Sequence, residues 1–157
     1  MAPPELAALL LAKVTIAAER DVRLVVSPES HLDVPSLETR SLLTVLGNLI
    51  DNAVDAVAGG PDPRRVDVHV SDAGGEVSIV VTDTGPGVAP GALERIFTDG
   101  YSTKPAREGM RRGLGLALVR RLVHRAGGSV DVTPGPGARF AVRLPHAPVR
   151  ARLERVP

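Results

Sequence analysis

The chain has 157 residues, a formal net charge of +1, 43% hydrophobic and 24% charged residues, and no cysteine. This length supports one hydrophobic core, since domains most often run to about 100–150 residues. Near-neutral charge without a long basic run excludes an electrostatic footprint for nucleic acid or an anionic membrane. The missing cysteines exclude disulfides, zinc–thiolate sites and thiol nucleophiles, and no apolar run approaches the ~20 residues that span a bilayer.

The elements follow in chain order. From Pro4 to about Arg20, Leu6, Leu9, Leu10, Val14 and Ala17 recur at helical spacing, with Pro and Glu5 suited to the first turn. No basic region precedes this apolar start, which argues against a signal peptide. Asp21 to Val26 alternates as a strand does, and Ser27-Pro28-Glu29-Ser30 breaks it. A long helix is predicted from Ser36, its N-cap, through Val57, stopped by Gly59-Gly60-Pro61. Two alternating runs, Arg65–Val70 and Glu76–Thr82, form a hairpin about Asp72-Ala73-Gly74-Gly75. From Asp83 to Arg112 the chain fills with Gly, Pro, Thr and charged residues, apart from a short helix near Gly91 to Ile96. A connection this long inside a compact domain reads as a functional lid. Helix returns from Leu114 to Ala126 and closes at Gly127-Gly128; strands Ser129–Thr133 and Arg139–Leu144 flank the turn Pro134-Gly135-Pro136-Gly137. The tail beyond is rich in Pro and Arg and is expected to fray. Hairpins instead of strict βαβ units predict an α+β fold: a two-layer sandwich with a mixed, mainly antiparallel sheet and helices on one face.

Four segments carry chemistry. On the long helix, Ser41, Thr44, Asn48, Asn52 and Asp55 fall at steps of three or four beside an apolar row of Leu42, Leu46, Leu49, Ala53 and Val57. Asn is a mediocre helix former that costs free energy when buried without partners, so the pair calls for a ligand, metal or water, or is a solvated face. The amide oxygen of Asn52 suits Mg²⁺, a hard cation that keeps several waters and takes phosphate oxygens. Next, Asp83-Thr84-Gly85-Pro86-Gly87 ends an apolar strand with a carboxylate able to accept a hydrogen bond from an exocyclic amine, followed by glycines that admit close backbone approach; an ordinary turn has the same composition. Third, Gly113-Leu114-Gly115-Leu116 runs into a helix whose free N–H groups and dipole suit phosphates. It is neither a P-loop nor a dinucleotide fingerprint, for no Gly-Lys-Ser/Thr follows and the third Gly is absent. Last, Tyr101-Ser102-Thr103-Lys104 places one of only two lysines beside two hydroxyls in the lid, where it meets either solvent or a terminal phosphate.

In this order the four segments resemble the N, G1, F and G2 boxes of the Bergerat-type ATP-binding fold, shared by sensor histidine kinases, gyrase-like ATPases and related chaperone and repair ATPases. The match spans about Ser36 to Leu144. The phrases Leu46-Gly47-Asn48-Leu49-Ile50-Asp51-Asn52-Ala53 and Gly100-Tyr101-Ser102-Thr103-Lys104 are most similar to histidine kinases of the citrate and C4-dicarboxylate-sensing group. The resemblance implies ATP and Mg²⁺ as cofactors. It implies Mg²⁺ coordination by Asn52, a place near the phosphates for Asn48, and acceptance of the adenine amino group by Asp83. It further implies a base pocket shaped by Gly85 and Gly87, a phosphate cradle from Gly113, Leu114, Gly115 and Leu116, lid contacts from Tyr101 and Thr103, and a γ-phosphate contact from Lys104. Asp55 falls on the same stripe and is expected near the nucleotide. Gyrase-like ATPases carry a Glu base where Asn48 stands; an amide cannot accept a proton from water, so transfer to a separate nucleophile is expected over hydrolysis. This chain departs from the family at Ala138, where many members have Thr, and near Asp55, where many kinases have a basic or aromatic residue.

The acceptor histidine of such kinases lies on a helical dimerisation domain, whereas His31, His69, His124 and His146 fall in a loop, a strand, the helix after the glycine pair and the tail. The expected organisation is therefore the end of a dimerisation helix over 1–20, the ATP-binding domain over 21–145 and a flexible tail over 146–157. The resemblance implies a cytoplasmic domain of a homodimer anchored in the cell inner membrane, passing phosphate from its own histidine to a response regulator. An anti-sigma-factor serine kinase of the same fold and a non-catalytic nucleotide-binding module are the competing expectations.

Overall fold

The computed structural model describes residues 4–30, 39–73, 75–88, 91, 95–97, 114–134 and 136–145. Its elements are helix α1 (Pro4–Glu19), strand β1 (Arg23–Val26), helix α2 (Thr39–Val57), strands β2 (Arg65–Ala73) and β3 (Glu76–Asp83), a 3-10 turn (Arg95–Phe97), helix α3 (Leu114–Arg125), and strands β4 (Ser129–Thr133) and β5 (Arg139–Pro145). The five strands form one sheet in the order β1-β2-β3-β5-β4, with β1 parallel to β2 and every other pair antiparallel. This is the mixed, mainly antiparallel sheet expected from the hairpin spacing.

Period-2 alternation decides which side of the sheet is covered. Val66, Val68 and Val70 of β2, Val77, Ile79 and Val81 of β3, and Phe140 and Val142 of β5 are buried beneath the helices. From above, α2 lowers Leu42, Val45, Leu46, Leu49, Ile50 and Ala53 onto them, and α3 adds Val119 and Val123. Each of the Val, Leu, Ile and Phe side chains contributes roughly 1.5–3 kcal/mol by leaving water. The opposite face carries Asp67, Ser78 and Thr82, with Arg65 gripping Asp67 (Nη2 to Oδ1, 2.8 Å). That hydrogen bond and the attraction behind it raise the Arg65 guanidinium above its ordinary value.

Four strand ends differ from expectation: β1 begins at Arg23 instead of Asp21, β5 runs on to Pro145, and both hairpin strands are longer. β2 runs on to Ala73, paired with Glu76, so only Gly74 and Gly75 lie between the hairpin strands. Gly75 sits at φ 79°, which lets a two-residue link close the ladder. β3 includes Asp83, which the sequence reading placed at the start of the lid. The predicted N-cap Ser36 lies outside the described residues, and of the short helix predicted near Gly91 to Ile96 the described parts are Gly91 and the 3-10 turn at Arg95–Phe97.

Both ends of the helical layer are closed by paired backbone bonds. α3 stops where the Gly127 N–H donates to His124 O (3.0 Å) and the Gly128 N–H to Val123 O (2.8 Å), a Schellman closure with Gly127 at φ 78°. At α1 the same pattern is made by Asp21 and Val22, bonding to Ala18 O (3.0 Å) and Ala17 O (2.9 Å), with Asp21 held at φ 57°. A residue with a Cβ is strained there. Asp21→Gly is expected to raise stability by about 0.5–1 kcal/mol, seen as a higher urea midpoint, because the bond from Arg64 Nε reaches the Asp21 main-chain carbonyl, which glycine retains.

Candidate functional site

The site is built at the end of β3. Because Val77, Ile79, Val81 and Asp83 occupy alternate positions, the fourth member of a buried apolar row is a carboxylate. Asp83 is only 4% exposed and is the one buried polar or charged side chain among the described residues. Its backbone N–H donates to Ala138 O (2.9 Å), so the strand ladder sets its position. Its Oδ1 accepts the N–H of Gly85 (2.8 Å) and, more weakly, that of Ala138 (3.4 Å). A buried carboxylate is tolerated where N–H groups are arranged around it.

The loop after Asp83 folds back over α2. A Cβ at Gly85 would lie 3.0 Å from both Ala56 O and Asp83 Oδ1, and Gly87 sits at φ 81°. Glycine is thus required twice, once for closeness and once for conformation. Thr84 pins this loop to the chain entering β2: its hydroxyl donates to Pro63 O and accepts the Arg65 N–H (3.0 Å). From the far side Gly137, at φ 72°, donates its N–H to Gly85 O (2.9 Å), and a Cβ on it would meet Asp83 O at 2.5 Å. Gly137 and the carbonyl of Ala56 were not singled out by the sequence reading. The Pro-Gly-Pro-Gly run read only as a turn; its glycine density was the available signal.

The second half of the site is the junction of α2 and α3. Asn48 donates from Nδ2 to Thr44 O (2.8 Å), which turns its Oδ1 toward Gly115, where an added Cβ would stand 2.8 Å away. The structure therefore brings the asparagine of the long helix against the glycine that opens α3. Asn52 lies one turn further along α2, half-buried. Asp55 is turned to the α1 side, where its Oδ1 accepts from Arg20 Nη1 at 2.7 Å. Leu114 and Leu116 stand in the first turn of α3. Tyr101, Thr103, Lys104 and Gly113 lie outside the described residues.

Among the described residues no group of three or more His, Cys, Asp or Glu could hold a metal ion, so a cation here would depend on amide oxygens, water and an anionic ligand. Asn48 already presents its oxygen, because its NH₂ is committed to Thr44 O. Gly115→Ala is expected to lower affinity for a triphosphate about tenfold while leaving the urea midpoint nearly unchanged, since Ala favours the helix and only the Asn48 amide must turn aside. Parallel ligand titration and urea unfolding separate the two effects.

Comparison with known proteins agrees with this architecture. Residues 38–148 match the family model described as histidine kinase-, DNA gyrase B- and HSP90-like ATPase. The chain is 42% identical over 142 residues to the sensor protein CitS of Bacillus subtilis, covering 88% of this chain and 25% of that protein. It is 38% identical over 147 residues to the sensor histidine kinase DcuS of Escherichia coli, covering 90% of this chain and 26% of that one. The chain thus spans about a quarter of the length of these curated relatives. Among solved structures, full-length ShkA in complex with AMPPNP superposes with a TM-score of 0.70 at 35% identity, over 96% of this chain and 33% of that one. The mycobacterial sensor histidine kinase MprB gives 0.65 at 25% identity, over 92% and 96%. With most of its length matched and its sheet, buried Asp83 and Asn48–Gly115 contact in place, this chain belongs to the histidine kinase-, DNA gyrase B- and HSP90-like ATPase family.

Proposed function

We propose that this chain is the Mg-ATP-binding catalytic domain of a two-component sensor histidine kinase, donating the γ-phosphate of ATP to a histidine on a dimerisation domain outside the chain. The observation that carries this reading is the buried Asp83 carboxylate, flanked by glycines on both sides and set at the end of a strand. A carboxylate so placed recognises an exocyclic amine, and adenine has one at its edge. The AMPPNP bound by the relative ShkA supports a nucleotide as ligand. Gly85, Gly87 and Gly137 then give the flat ring its space.

Phosphates follow toward α3, where the N–H groups of Gly113, Leu114, Gly115 and Leu116 and the helix dipole favour anions. Mg²⁺, when bound with the nucleotide, neutralises phosphate charge; Asn52 and the oriented oxygen of Asn48 are the residues that would hold it. Lys104 meets the γ-phosphate, with Tyr101 and Thr103 lining the same segment. Asn48 has no basic atom to take a proton from water, so the site positions ATP for attack by a nucleophile from elsewhere instead of hydrolysing it. That nucleophile is the histidine of the dimerisation domain, to which residues 1–20 lead. From it the phosphate passes to a response regulator. The whole protein is a homodimer anchored in the cell inner membrane with this domain on the cytoplasmic side, and among the described residues no helix is long and apolar enough to cross a membrane.

The test is phosphotransfer in trans. The chain is incubated with Mg²⁺, γ-labelled ATP and the histidine-bearing helical domain of the same full-length protein, expressed separately. Acid-labile, base-stable label on that domain is expected. Acid-stable label on a serine would replace this reading with a serine kinase, and nucleotide binding without any transfer would make the domain non-catalytic.

A further inference from the structure

Two ion pairs join α1 and Arg20, the residue that follows it, to the helix that carries Asn48 and Asn52. Lys13 Nζ lies 2.7 Å from Asp51 Oδ1, and Arg20 Nη1 lies 2.7 Å from Asp55 Oδ1. The second is the more enclosed, with side chains 24% and 11% exposed. Gly47 continues the same line, for a Cβ there would stand 3.8 Å from Lys13 Cε and 3.9 Å from Leu9 Cδ1. Gly47, Asp51 and Asp55 recur every four residues, so α1 runs along one face of α2. Asn48, Asn52 and Ala56 are each the next residue and occupy the adjoining face, about 100° round.

The consequence lies at the last turn of α2. The Ala56 carbonyl is the atom against which Gly85 is packed, so a shift of this turn passes directly into the loop that bonds Asp83. Asp55, its chain neighbour, is tied to α1 by Arg20. Arg64 closes the assembly from outside, donating to Asp21 O at the end of α1 (3.0 Å) and to Gly60 O just beyond α2 (2.9 Å). A part-buried ion pair is weak evidence for stability; its better-attested use is to fix register.

We propose that Arg20 is a positioning residue for the nucleotide site, acting through Asp55 to hold the last turn of α2 in the register the base loop requires. The proposal rests on the nucleotide reading of the site. It makes α1 and the nucleotide thermodynamically coupled: docking of α1 raises nucleotide affinity, and bound nucleotide tightens the docking by the same factor. Asp55, expected from its place on the polar stripe to touch the nucleotide, acts instead from one layer behind.

The experiment is titration with AMPPNP and Mg²⁺ of the chain, of Arg20→Gln, of Arg20→Lys, and of the charge swap Arg20→Asp with Asp55→Arg. Arg20→Gln is expected to weaken binding about tenfold, and Arg20→Lys and the swap to recover most of it. Hydrogen exchange of the α1 amides slows on AMPPNP addition in the parent chain and not in R20Q. Should R20Q melt below the assay temperature, Arg20→Lys and the swap are compared with the parent directly. Unchanged affinity in R20Q, or a swap that binds no better than R20Q or far below the parent, overturns the proposal. The latter outcome would mean that Asp55 touches the nucleotide itself. A parent chain that does not bind AMPPNP overturns the nucleotide reading, and this proposal with it.

Discussion

Asp83→Asn is expected to weaken AMPPNP binding by at least about 100-fold while the fold stays intact. The substitution is isosteric, and an amide oxygen left in the Oδ1 position still accepts the Gly85 and Ala138 N–H groups that shape the loop. What changes is the second carboxylate oxygen, which becomes an NH₂. A donor then faces the exocyclic amine of the base, so a charge-assisted bond, worth about 1.5–3 kcal/mol, is replaced by two opposed donors in a buried site. Circular dichroism and urea unfolding should match the parent chain, and calorimetric titration should show the loss. Undiminished affinity in this variant would remove Asp83 from base recognition.

Gly137→Ala is expected to destabilise the chain by about 2–4 kcal/mol, and nucleotide affinity should fall with it. Two costs combine. A φ of 72° penalises any Cβ by roughly 1–2 kcal/mol, and the Cβ would stand 2.5 Å from the carbonyl oxygen of Asp83, a backbone atom that moves only if β3 moves. Gly59 supplies the control. It has φ 76° with nothing within 4 Å of an added Cβ, so Gly59→Ala carries the conformational cost alone. The difference between the two urea midpoints isolates the clash at Asp83. Equal midpoints would show that β3 yields without resistance and that Gly137 does not hold the site.

The parts of this protein legible in its sequence are those set by local periodicity. Alternation through Glu76–Thr82 locates the strand, and the same period of two carried one residue further gives Asp83 the inward register found in the structure, although the lid was expected to begin there. The spacing of Asn48 and Asn52 locates one row of α2 for a similar reason. Contacts between distant segments left no such trace. Asp55 shares the stripe of the asparagines by helical arithmetic, yet Arg20, 35 residues upstream, draws its carboxylate toward α1. Gly137 lies more than fifty residues beyond Asp83, and only the β3–β5 register brings them together. Thr84 reads as a turn residue, although its hydroxyl closes the strand entry at Pro63 and Arg65. Composition gives the glycines their conformational freedom in advance but not the atoms they must avoid.

The most direct measurement is calorimetric titration of the chain with AMPPNP, with and without Mg²⁺. Saturable one-site binding that tightens with Mg²⁺ is expected, because the ion would relieve the repulsion of the triphosphate beside the Asn48 amide oxygen that faces Gly115. The absence of saturable binding under either condition would contradict a nucleotide site built on Asp83 and on the junction of Asn48 with Gly115.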